Sequence, residues 1–129
     1  MDGAAAESEP STGMILIIDD EDYVADMIAT VLRLEGFEVT IAYNGRDGLA
    51  LAKTLMPRLI IVDIMMPYLN GLELVEQLRN TEGLMMPTIV ISAGARPKQL
   101  LASMEFLAKP FDMERLVALI ARWLPLDNQ

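Results

Sequence analysis

Short, wholly apolar runs alternate along this chain with stretches whose apolar residues recur at helical spacing, and that alternation narrows the possible folds more than any other feature. Met14-Ile15-Leu16-Ile17-Ile18 is an uninterrupted apolar run, as expected of a strand covered on both faces. Val24, Met27, Ile28, Val31 and Leu32 follow at i, i+3, i+4, i+7 and i+8, one stripe of an amphipathic helix that Gly36 ends. Glu38–Ala42 reads as a short strand, and Asn44 as the cap of a helix reaching about Leu55 before Pro57. Leu59-Ile60-Ile61-Val62 is a second buried strand, and a loop holding Pro67 and Gly71 leads to a helix through about Arg79. Thr88-Ile89-Val90-Ile91 is a third buried strand and Glu105–Ala108 the last. Asp112 then caps a closing helix with Met113, Leu116, Val117, Ile120 and Leu124 on its inner stripe. Five strands alternating with helices predict an α/β fold: a parallel sheet with helices on both faces.

The chain has 129 residues, enough for one domain, which the apolar pattern places at 14–124. Residues 1–13 offer nothing to bury and are expected to be a disordered tail, with 125–129 as a short C-terminal tail. There is no cysteine and no histidine, which excludes disulfides, thiolate chemistry, His-anchored zinc and a histidine base. With 19 acidic and 10 basic residues the net charge is −9, a field that repels nucleic acid and anionic membranes. No apolar run approaches the ~20 residues of a membrane span, and acids stand where a signal peptide needs a basic head. A soluble, cytoplasmic protein is the expectation, with neither nucleic acid nor membrane as partner.

In a parallel sheet the strands end at one edge, and ligands bind where the strand order reverses. The residues closing each apolar run therefore matter: Asp19-Asp20 after the first strand, Asp63 after Val62, Ser92 after Ile91, and Lys109 after the last strand. Three carboxylates, a hydroxyl and an ammonium would meet there. One lysine cannot neutralise three close carboxylates, so a divalent cation is expected, and Mg²⁺ suits a site with few protein oxygens. Asp63, followed by the apolar Ile64-Met65-Met66-Pro67, reads as the reacting carboxylate, able to attack phosphorus once a cation masks the repulsion. Lys109 and Ser92 could then hold phosphoryl oxygens. Taken singly, Asp20 or Glu21 could merely cap a helix, Ser92 could be an ordinary strand-end serine, and Phe106 could be core.

The set Ile17-Ile18-Asp19-Asp20-Glu21, Val62-Asp63-Ile64-Met65-Met66-Pro67 with Gly71, Ile91-Ser92-Ala93 and Phe106-Leu107-Ala108-Lys109-Pro110-Phe111 resembles bacterial response-regulator receiver domains over residues 14–124. The resemblance implies a flavodoxin-like five-stranded parallel sheet of order 2-1-3-4-5. It implies that Asp63 takes a phosphoryl group from the phosphohistidine of a histidine kinase or phosphotransfer protein. It further implies that Asp19, Asp20, Asp63 and the carbonyl of Met65 bind Mg²⁺, and that Ser92 and Phe106 form a switch pair that signals to a downstream protein target. A cis Lys109-Pro110 bond comes with it. Such a chain accepts and slowly loses phosphate without being a turnover enzyme.

Two departures stand out. Only residues 93–104 join the fourth strand to the fifth, so the fourth helix, expected near Pro97–Met104, should be shortened or irregular, leaving a monomer or weak dimer. With no output domain expected after Trp123, the chain reads as a stand-alone receiver. Rival readings are a receiver-like scaffold that is never phosphorylated and a Mg²⁺-dependent aspartyl phosphatase. Against the phosphatase, Met65 stands where a second Asp would act as acid. Flavin and dinucleotide sites would need a Gly-rich turn after the first strand, where Asp19-Asp20-Glu21-Asp22 lies. The second departure is Met65 itself, an apolar side chain able to shield an acyl phosphate from water, while Gly94, two residues after Ser92, offers no side chain there. Met65→Asn is expected to lose its phosphoryl group several-fold faster than wild type; an unchanged decay rate would remove the shielding role.

Overall fold

The computed structural model describes residues 14–124, so both expected tails lie outside the described residues. Five strands, β1 (Ile15–Ile18), β2 (Val39–Ala42), β3 (Leu59–Asp63), β4 (Thr88–Ser92) and β5 (Met104–Ala108), form one sheet in the order β2-β1-β3-β4-β5. Every pairing is parallel. Four helices, α1 (Asp22–Leu34), α2 (Gly45–Leu55), α3 (Gly71–Thr81) and α4 (Met113–Trp123), cover it. This is the flavodoxin-like architecture, with its order reversing between β1 and β3. Among the described residues no helix is long and apolar enough to cross a membrane.

The strand order follows from the apolar runs. β1, β3 and β4 are buried along their whole length, so they occupy the centre, whereas β2 and β5 carry half-buried positions and lie at the edges. Alternate strand residues then build two cores. Ile15, Ile17, Ile61, Ile89 and Ile91 pack with Ile28 and Leu32 of α1 and Leu116 and Ile120 of α4. Leu16, Ile18, Ile60, Val62 and Val90 pack with Ala52 of α2 and Leu74 and Leu78 of α3.

Local chemistry sets most helix ends. Gly36 takes a φ of 99°, the left-handed conformation that closes α1. The Asn44 side chain accepts the Asp47 N–H at 2.7 Å. Asn70 and Glu73 cap α3 reciprocally, with N–H···O distances of 2.9 and 3.0 Å. Asp112 does precede α4, but its side chain makes no cap hydrogen bond.

The expected shortened or irregular fourth helix is absent: β4 and β5 are joined by residues 93–103, which contain no helix. Eleven residues are at the lower limit for a parallel crossover, and Pro97 further withdraws a backbone donor. Side chains brace the connection instead. Arg79 of α3 donates to the carbonyls of Ala102 and Met86, and Arg96 lies over the Phe106 ring, 5.6 Å from its centroid.

Gly71 at the start of α3 seats that helix against the end of β3. Its N–H donates to the Ile64 carbonyl at 3.0 Å, and a Cβ there would stand 2.5 Å from the Asp63 carbonyl oxygen. Backbone cannot yield as a side chain tip can. Gly71→Ala is expected to destabilise the fold by about 1–3 kcal/mol in denaturant titration; an unchanged midpoint would show that α3 slides freely.

Candidate functional site

The sheet brings the predicted polar residues to one edge by extending its ladder past the strand ends. Asp19 follows β1, and its N–H donates to the Ala42 carbonyl at 3.1 Å. Asp63 is the last residue of β3 and pairs with Ile91, so Ser92 closes β4 one residue further on. Lys109 follows β5, its N–H bonded to the Ser92 carbonyl at 2.8 Å, and its bond to Pro110 is cis, as expected.

Carboxylate oxygens of Asp19, Asp20 and Asp63 all lie within 4.8 Å of one another. Asp19 and Asp63 are buried and Asp20 is exposed. The Lys109 ammonium reaches Asp19 Oδ2 at 3.2 Å and Asp63 Oδ1 at 3.7 Å, the latter beyond hydrogen-bond length. It lies closest to Glu21 Oε1, at 2.8 Å. Asp19 Oδ1 also accepts the Glu21 N–H at 2.9 Å, which fixes the entry to α1. That Glu21 would partner Lys109 was not read from the sequence. Its only signal there is a third acid in the Asp19-Asp20-Glu21 run.

These contacts leave negative charge uncompensated. Burial, and then the charge of Asp19, push the Asp63 carboxyl up to about 6, against the opposing pull of Lys109 and the Met65 N–H. Asp19 is also raised, chiefly by burial, with the Glu21 N–H and Lys109 working the other way. Burial alone would lower Lys109, but its bond to Glu21 and the charges of Asp19 and Asp63 outweigh that and raise it. Two buried carboxylates and a third at the rim present hard oxygen donors with surplus negative charge, a donor set that fits Mg²⁺.

The remaining predicted residues surround this cluster. Ser92 Oγ accepts the Gly94 N–H at 2.9 Å, which leaves its own O–H free to donate. Met65 donates its N–H to Asp63 and exposes 63% of its surface. Its sulfur lies 3.2 Å from where a Cβ on Gly94 would stand, so the thioether reaches across to the β4 loop. Phe106 pairs with Val90, on the same sheet face as Ser92, and is half-buried beneath Arg96. The register brings Phe106 to that face without placing it among the clustered carboxylates.

The model for the response regulator receiver domain matches residues 15–121. The regulatory protein AtoC of Escherichia coli is 34% identical over 88% of this chain and 26% of its own length. The response regulator ArlR of Staphylococcus saprophyticus is 36% identical over 89% of this chain and 54% of its own. The chain thus spans between about a quarter and half of these curated relatives. A CheY-like response regulator receiver domain protein from Methanospirillum hungatei superposes with a TM-score of 0.80 at 29% identity, over 88% of this chain and 94% of its own.

The electrostatics predict how stability responds to pH. Because the folded protein raises Asp63 above its ordinary 3.8, it binds that proton more tightly than the unfolded chain does. Stability from this group is present at low pH and is lost as pH climbs from 3.8 through about 6. Without divalent cation, Asp63→Asn is expected to unfold about 2–3 kcal/mol later than wild type near pH ~7.5 and to match it near pH ~4. Equal gaps at both values in chelator-treated protein would contradict this.

Proposed function

The chain belongs to the response regulator receiver domain family, and from that membership we propose that it is a phosphoacceptor of two-component signalling in which Asp63 carries the phosphoryl group. The observation behind this reading is the Asp63 carboxylate itself: buried at the end of β3, with oxygens of Asp19 and Asp20 within 4.8 Å and the Lys109 ammonium at 3.7 Å. Asp19, Asp20 and Asp63, joined by the Met65 carbonyl, would hold Mg²⁺, which when bound masks the repulsion between carboxylate and phosphoryl oxygens.

Transfer then needs little from the protein beyond position and charge. A carboxylate oxygen of Asp63 attacks the phosphorus of a phosphohistidine on a histidine kinase or phosphotransfer protein. The new O–P bond forms as the P–N bond breaks, and the electron pair leaves on the imidazole nitrogen. Lys109 offers its ammonium, and Ser92 its hydroxyl proton, to the phosphoryl oxygens gained by Asp63. The added charge of about −1.5 to −2 draws Ser92 and its loop toward Asp63. Phe106, on the same sheet face, follows that movement and alters the face offered to a downstream protein target. Hydrolysis restores Asp63, so the chain works as a cytoplasmic switch and not as a turnover enzyme.

Intact-mass spectrometry after incubation with Mg²⁺ and a small acyl-phosphate donor tests this reading. One added phosphoryl group is expected, absent from Asp63→Ala and absent without Mg²⁺. Failure to gain phosphate together with failure to bind Mg²⁺ in equilibrium dialysis would overturn it in favour of an unphosphorylated scaffold.

A further inference from the structure

The contacts of Lys109 are ordered in an unexpected way. Its ammonium is nearest to Glu21, at 2.8 Å, then to Asp19 at 3.2 Å, and farthest from Asp63, at 3.7 Å. An ammonium has three donors, and here the two hydrogen-bonded ones go to Glu21 and Asp19. Glu21 differs from the two aspartates in kind. Its side chain is 60% exposed, makes no cap hydrogen bond to α1, and accepts a hydrogen bond from Lys109. It also lines, with Val24, Met27, Ala93, Lys109 and Phe111, an open groove in which the carboxylate has room to turn into solvent.

We propose that Glu21 is a positioning residue that holds Lys109 in the resting state and competes with the phosphoryl group for it. The inference rests on the phosphoacceptor reading of Asp63. Lys109 has a third donor free, but serving a phosphoryl oxygen draws its ammonium toward Asp63, 3.7 Å away, and lengthens the 2.8 Å contact with Glu21. A contact made in the resting state and given up in the phosphorylated one shifts the balance toward rest by its own strength. An exposed ion pair is weak and readily released, so Glu21 acts as a modest bias against the phosphorylated state and not as a block. Asp19 cannot play this part, because it is fully buried and belongs to the cation-binding set.

Beryllofluoride, a phosphoryl mimic, tests the competition when titrated into the Mg²⁺-loaded protein and followed by ¹⁹F NMR. Glu21→Gln removes the competing charge at nearly constant size, and Asp22→Asn removes a neighbouring exposed charge outside the Lys109 contacts. Glu21→Gln is expected to bind beryllofluoride about two- to fivefold more tightly than wild type, with Asp22→Asn within about 1.5-fold of it. The side-chain ¹⁵N signal of Lys109 should differ between resting wild type and Glu21→Gln and coincide in their beryllofluoride complexes. If wild type binds beryllofluoride but Glu21→Gln changes affinity no more than Asp22→Asn, or weakens it, the competition is overturned while the phosphoacceptor reading stands. If wild type with Mg²⁺ binds none, both fall together.

Discussion

Two buried carboxylates share a single ammonium at the C-terminal edge of the sheet, and the rest of the site is organised around that imbalance. Asp19 lies just beyond β1 and Asp63 at the end of β3, adjacent strands across the point where the sheet order reverses. Isolated charges are costly in such surroundings, which is why burial raises both carboxyls. Lys109 relieves part of the cost but is itself divided among Asp19, Asp63 and Glu21. The result is a site of hard oxygen donors with surplus negative charge, set on the apolar sheet beneath it.

The edge strand β5 supplies the lysine, and its attachment to the rest of the molecule is the most individual part of this fold. A helix would ordinarily be expected between β4 and β5, yet residues 93–103 make the crossing without one. In place of a helix, Leu100 packs against the core and two arginines brace the connection. Arg79 ties the connection to α3 through the Ala102 carbonyl, and Arg96 covers Phe106. The ladder from Thr88↔Met104 to Ser92↔Ala108 is complete all the same. Lys109 is therefore delivered to the site by strand pairing, independently of how the crossover is built.

Much of this was legible in the residues. Ile15–Ile18, Leu59–Val62 and Thr88–Ile91 are apolar without interruption because both faces of a central parallel strand are covered. Asn44 announces its helix through a side chain that competes for backbone donors, a local interaction that needs no tertiary context. Asp112 carries the same signal, yet its side chain makes no such bond. The crossover was legible as too short for a normal helix, but not as lacking one. Whether about eight residues form a helical turn depends on what they can pack against, and an isolated segment of that length is not stable alone.

The sequence by itself determined the layered α/β architecture, the central place of three strands and the residues that close them, because hydrophobic periodicity and strand-end polarity are local properties of the chain. Only the tertiary structure decided how the charges pair. That Lys109 sits nearest to Glu21, 88 positions away, and not to Asp63, depends on the parallel register bringing distant strand ends together and on which carboxylate remains in water. The physical reason is that ion pairing depends on distance and desolvation, neither of which exists until the sheet has formed.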